Sequence, residues 1–145
     1  MKKRTKFVIA DGTLTVVNGE LNVEVYTNSD VTVSGDDTVT PKKIAAKIGD
    51  ALYESLADAA KAAQDGDTIT LLADAVVPTE KNSPFNAGVT VDLNEKSLTF
   101  GSTPHGDYFV RNVTLKNGNI NIEGFKAGTV ALGTWQTDAK LTLDG

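Results

Sequence analysis

The nearest candidates for catalysis in this chain are five residues. Asp92, Asp107 and Glu123 supply carboxylates, Arg111 a cation able to stabilise negative charge, and His105 the one imidazole base. Carboxylates gathered on one face of a stack of strands, often with a metal, would suit attack on a polysaccharide. Paired carboxylates act only at a defined separation, however, and nothing in this spacing sets one. Asp92 alternates with Val91 and Leu93, which turns its side chain toward solvent. His105 stands in "STPHGDY", a Pro- and Gly-flanked loop, and reads as a surface residue. No catalytic residue is assigned, and the chain is read as non-enzymatic.

The ligand-binding motifs are equally sparse. "DGDT" at 65–68 is rich in oxygen, but an EF-hand needs a longer ligand series ending in glutamate. A helix C-cap accounts for Gly66 and a turn for both aspartates. "KNGN" at 116–119 lacks the glycine spacing and the lysine position of a phosphate loop. Asn119 and Asn121 either stack as an asparagine ladder inside a solenoid or belong to turns. Trp135, Tyr108, Phe109 and Phe125 are the aromatics open to a sugar-binding role, with packing as the commoner use. The candidate interaction residues are Lys2, Lys3, Arg4 and Lys6, a basic lead able to touch an acidic surface, and the exposed-looking Trp135. No cofactor and no metal are expected.

Composition narrows the classes further. Across 145 residues the formal net charge is −5, so nucleic acid is not an expected partner. The chain has no cysteine, which excludes disulfides and thiolate chemistry. Phe7-Val8-Ile9-Ala10 is too short for the hydrophobic region of a signal peptide, which needs about 7–15 residues. No run approaches the ~18 apolar residues of a membrane helix. A soluble chain without an export signal or membrane contact is the expectation.

The elements that would position these residues are mostly strands. Period-two alternation over 6–35, broken at Asp11-Gly12, Asn18-Gly19 and Asn28-Ser29, predicts a small antiparallel β-module within residues 1–40. Within 41–145, Ser55 and Asp58 form a capping-box-like pair ahead of an apolar stripe of Leu56, Ala59, Ala60 and Ala63. That helix, ending at Asp65-Gly66-Asp67, is too short to stand alone and must dock. "TITLL" then gives a strand, leading to a loop with Pro78 and Pro84. Segments 89–100, 113–124 and 130–145 each show two alternating strands around a polar turn, with Val91, Leu115 and Leu141 at steps of 24 and 26. Such a period marks a solenoid, with a meander or sandwich as alternatives. The helix would cap the first rung.

The stretch from Ala46 to Gly124 resembles the opening of right-handed parallel β-helix modules of the pectate-lyase-like superfamily. The corresponding segments are a strand at Ile48–Tyr53, the helix at Ser55–Ala63, "GDTITLL" at Gly66–Leu72 and Asp92–Thr99, with Glu95 where glycine is frequent. The resemblance implies the fold and leaves polysaccharide lyases, adhesins and phage fibres open. With no signal peptide visible, the chain looks like the capsid-proximal part of a phage head fibre or virion decoration. That reading implies a virion location, an anchoring N-terminal module, a major capsid or other virion protein as partner, and a homotrimer. The alternatives are a cell-surface adhesin binding host glycan and, last, a polysaccharide lyase or hydrolase.

Overall fold

A computed structural model describes residues 5–9, 12–15, 23–27, 31–34, 42–77, 85–101, 107–124, 132–134 and 137–145. Among these the chain is mainly β, with mixed sheets and one helix. It divides into two compact units, Met1–Ile44 and Ala45–Gly145.

The first unit holds β1 (Thr5–Ile9), β2 (Gly12–Thr15), β3 (Val23–Thr27), β4 (Val31–Ser34) and β5 (Lys42–Lys43). Among the described residues its pairings are all parallel: β3 lies between β1 and β5, and β2 pairs with β4. The expected antiparallel module is therefore corrected. β1 and β2, which flank Asp11-Gly12 in the sequence, belong to different sheets and do not pair as a hairpin. Period-two alternation reports that one face is buried, and it is blind to the direction of the neighbouring strand. Val25, Tyr26 and Thr27 are all buried, so this part of the central strand is covered on both faces. Lys42 sits 5.8 Å from the Tyr26 ring centroid, and Ile44 N–H donates to Thr27 O at 2.9 Å.

The second unit opens with a hairpin, β6 (Ala46–Ile48) and β7 (Ala51–Tyr53), paired antiparallel. The sequence reading makes Ile48–Tyr53 one strand. Gly49, at φ +56°, instead supplies the left-handed residue of a two-residue turn. The helix α1 (Leu56–Ala62) follows. Asp58 N–H donates to Ser55 Oγ at 3.1 Å, and that hydroxyl donates to Asp58 Oδ2 at 2.9 Å, as the cap predicts. The C-terminal end differs from expectation. Ala63 is the C-cap in an extended conformation, its N–H bonded to Ala59 O, while Gly66 (φ +93°) serves the next turn. Leu56 and Ala59 are buried; Ala60 and Ala63 pack on the core half-buried.

Seven strands lie beyond β8 (Thr68–Leu71) and β9 (Ala75–Val76). They are β10 (Thr90–Asp92), β11 (Ser97–Phe100), β12 (Asp107–Phe109), β13 (Val113–Lys116), β14 (Asn119–Ile122), β15 (Leu132–Thr134) and β16 (Leu141–Asp144). They fall into three sheets, ordered β16-β13-β10-β8-β6-β7, β14-β11-β9 and β12-β15. From β10 the chain visits the three in cyclic order. Every pairing from β8 onward in this series is parallel, which rules out a meander of hairpins. Ile69, Val91, Leu115 and Leu143 are in register. Leu141 pairs with Val113, two residues from the expected register. A shift of two keeps every side chain on its face, so hydrophobic patterning does not separate the two registers.

The core is one cluster in which Ile69, Leu71, Val91, Leu98, Phe100, Phe109 and Val113 are fully buried. At the upper end β6 pairs antiparallel with β8, covering the edge opposite β10, and α1 packs against β6, β7 and β8. Covering that end is thus shared by the hairpin and the helix. At the other end β14 and β16 are outer strands, and Ile122 and Leu143 are 50% and 60% exposed. An Ala60→Asp variant is expected to lower stability by about 1–2 kcal/mol, because it sets a carboxylate against the half-buried helix contact. An unchanged denaturant midpoint would show that this helix face contributes nothing to the unit.

Candidate functional site

Polar side chains concentrate at the corners where the chain passes from the first sheet to the second. Asp92 ends β10, and its Oδ1 accepts from Asn94 N–H at 3.0 Å and from Asn117 Nδ2 of the next layer at 3.2 Å. Lys116, its neighbour in register, places Nζ 3.8 Å from Oδ2. Both side chains are about a third or less exposed and remain within reach of water, so this ion pair adds little. Asn94 Nδ2 reaches the previous layer, donating to Leu71 O at 3.1 Å. One corner therefore joins three successive layers through side chains.

The backbone explains the residue choice. Asn94, Glu95 and Asn117 have φ of 49°, 64° and 60°. Asparagine enters the left-handed region readily; glutamate does so at a cost of about 1 kcal/mol. Glu95 thus stands where glycine would be free of strain, matching its place in the resemblance. The corner closes with Glu95 N–H on Asn117 O at 2.7 Å and Asn119 N–H on Lys96 O at 3.1 Å. Gly118 is set by contact: a Cβ there would lie 2.4 Å from Leu93 Cβ and 2.5 Å from Lys96 O.

Other corners repeat the device. Asp65 Oδ1 accepts from Gly88 N–H at 2.7 Å, Asp74 Oδ1 from Ser97 N–H at 2.8 Å, and Asn112 Oδ1 from Lys140 N–H at 2.9 Å. Asp67 accepts from Gln64 N–H at 2.8 Å. Asp67 of "DGDT" bonds within its own turn, as the turn reading predicts, whereas Asp65 reaches the amide of Gly88, 23 residues on. Among the described residues no cluster of three or more His, Cys, Asp or Glu could hold a metal. The roles of Asp74, Asn94 and Asn112 escape the sequence reading. Their signal is an Asp or Asn at a strand end, about one layer in sequence from the backbone group it meets: an amide for Asp74 and Asn112, the Leu71 carbonyl for Asn94.

The candidate catalytic residues do not form a centre among the described residues. Asp92 lines a shallow depression with Asn94, Glu95 and Asn117, whereas Arg111 lines another with Asn112 and Asp138. Arg111 donates from Nη1 to Val110 O at 3.1 Å. Glu123 is exposed just after β14. Asp107 pairs with Leu132 through the backbone, and Tyr108 with Gly133. Phe109 is no sugar platform. It is fully buried, stacked on Phe85 (centroids 6.4 Å, planes 11°) and edge-on to Phe100 (6.3 Å, 76°).

Asn119 and Asn121 are exposed on β14, in register with Ser97 and Thr99, so the interior-ladder alternative is corrected. The intervening Ile120 takes the inward position, beside Leu98. His105, Phe125, Trp135, Lys2, Lys3 and Arg4 lie outside the described residues, as do Pro78 and Pro84; Lys6 is described only through its backbone in β1. One unforeseen array appears on the outward side of the largest sheet, where Thr68, Thr90, Thr114 and Thr142 stand in register. Among the described residues no helix is long and apolar enough to cross a membrane. Comparison with protein-family models, curated proteins and solved structures finds no match to this chain.

Proposed function

We propose that this chain is a non-enzymatic structural protein of a phage virion, a head fibre or capsid decoration, whose second unit is a right-handed parallel β-helix. The handedness follows from the general rule that parallel crossover connections are right-handed. One observation carries the functional reading. The corner carboxylates Asp65, Asp74 and Asp92 accept bonds from neighbouring layers, so the acidic side chains serve to join the stack. The virion assignment itself rests on the resemblance of Ala46–Gly124. The basic lead Lys2, Lys3, Arg4 and Lys6 belongs to the module proposed to anchor on a capsid or other virion protein. The exposed Ile122 and Leu143, on outer strands, support self-association as a trimer.

The test is the location and copy number of the protein in purified particles, with and without residues 1–40. The full chain is expected in particles at a fixed ratio to the capsid protein, and the truncated chain is expected to be lost. Sedimentation equilibrium of the isolated chain should give three times the monomer mass. Absence from particles overturns the assignment. A second reading, a glycan-binding adhesin module, is favoured by the outward threonine column, which presents hydroxyls at the regular spacing of a sheet, ~4.8 Å. Glycan binding by the isolated chain without particle association would select it. Cleavage of an acidic polysaccharide would select the lyase reading.

A further inference from the structure

We propose that Asn117–Gly118 is a site of spontaneous deamidation which Asp92 holds shut in the folded chain. In this reaction the Gly118 backbone nitrogen attacks Cγ of the Asn117 amide. The N–Cγ bond forms, the Cγ–Nδ2 bond breaks, and Nδ2 leaves as ammonia with the proton from the Gly118 amide. Water then opens the five-membered imide at one carbonyl to give aspartate, or at the other to give isoaspartate. No oxidant, enzyme or cofactor is required.

The chemistry is present at this corner. Glycine after asparagine offers no Cβ to obstruct ring closure, and Asn117 is exposed to the water that completes the reaction. Among the described residues Gly118 N–H has no hydrogen-bond acceptor, so the nucleophile is not engaged. The restraint lies on the amide. Asn117 Nδ2 donates to Asp92 Oδ1 at 3.2 Å, while Asn117 N–H reaches Asp144 O at 3.3 Å and Asn117 O accepts from Glu95 N–H at 2.7 Å. With the backbone held on both sides, the bond to Asp92 restrains the amide from turning toward Gly118. Gly118 itself is wedged against Leu93. Reaction would be hard to undo. It replaces the donor facing Asp92 with a second carboxylate, and isoaspartate adds a backbone atom to a two-residue corner.

The experiment follows conversion of Asn117 by peptide mapping and mass spectrometry in mildly alkaline buffer, using the full chain. Folded wild type is compared with wild type in denaturant, with Asp92→Ala, and with Lys116→Ala, which removes the ion pair but leaves the hydrogen bond from Asn117 Nδ2 to Asp92. Denatured chain is expected to convert fastest, Asp92→Ala several-fold faster than folded wild type, and Lys116→Ala at the wild-type rate. Asn117→Asp should lower the unfolding midpoint, and adding Asp92→Asn should recover it. Folded wild type reacting as fast as denatured chain would overturn the proposal. So would Asp92→Ala reacting no faster than wild type, or Lys116→Ala accelerating as much as Asp92→Ala.

Discussion

Replacing Phe109 by alanine is expected to destabilise the second unit by about 3–5 kcal/mol, the range for removing a buried aromatic ring. The ring is fully buried between two others, so its loss leaves a cavity lined by Phe85 and Phe100. Phe85 and Phe100 come from different segments, and Phe100 is the last residue of β11. Two aromatic contacts worth about 0.5–1.5 kcal/mol each disappear with the volume. Because whole domains are stable by only about 5–15 kcal/mol, the variant should unfold at a much lower denaturant midpoint. Phe109→Leu should recover most of the loss by refilling the space. A Phe109→Ala protein within about 1 kcal/mol of wild type would contradict the role of this ring as a packing centre.

Gly118→Ala is expected to cost about 1–3 kcal/mol, the usual range for forcing extra volume into a packed site. The added methyl carbon would stand 2.4 Å from Leu93 Cβ and 2.5 Å from Lys96 O. Neither atom belongs to the free end of a flexible side chain, so relief requires the two layers to part at this corner. Gly88→Ala is the matched control, since the atoms nearest its Cβ, Asn112 O at 3.4 Å, Asp65 Oδ1 at 3.5 Å and Asn112 N at 3.9 Å, lie in ordinary contact range. That variant should be neutral or gain a few tenths of a kcal/mol through reduced unfolded-state entropy. Thermal unfolding of the two proteins side by side decides the matter. Equal midpoints would mean that the close approach at Gly118 relaxes without cost.

The elements legible in the sequence were those specified by neighbouring residues. The Ser55–Asp58 cap and the Leu56–Ala59 face rest on residues three apart, and the strands of 89–100 and 113–124 show as local alternation although the partners they pair with lie a full layer away in sequence. The buried positions of Val91 and Leu115 were legible for the same reason, because alternation records which face is dry. Tertiary structure alone decided which strands became neighbours. The strands flanking Asp11-Gly12 in the sequence lie in different sheets, whereas Gly49-Asp50 joins a paired hairpin. The direction of a strand's partner is set by where distant segments stack, and the period-two pattern is the same in either case. The corner bonds were hidden for a related reason. Asp74 meets the amide of Ser97, and Asn117 meets Asp92, only once successive layers lie in register. Leu141 pairs with Val113 in a register two residues from the one its hydrophobic pattern suggests, since that shift leaves the buried face unchanged and only packing distinguishes the two.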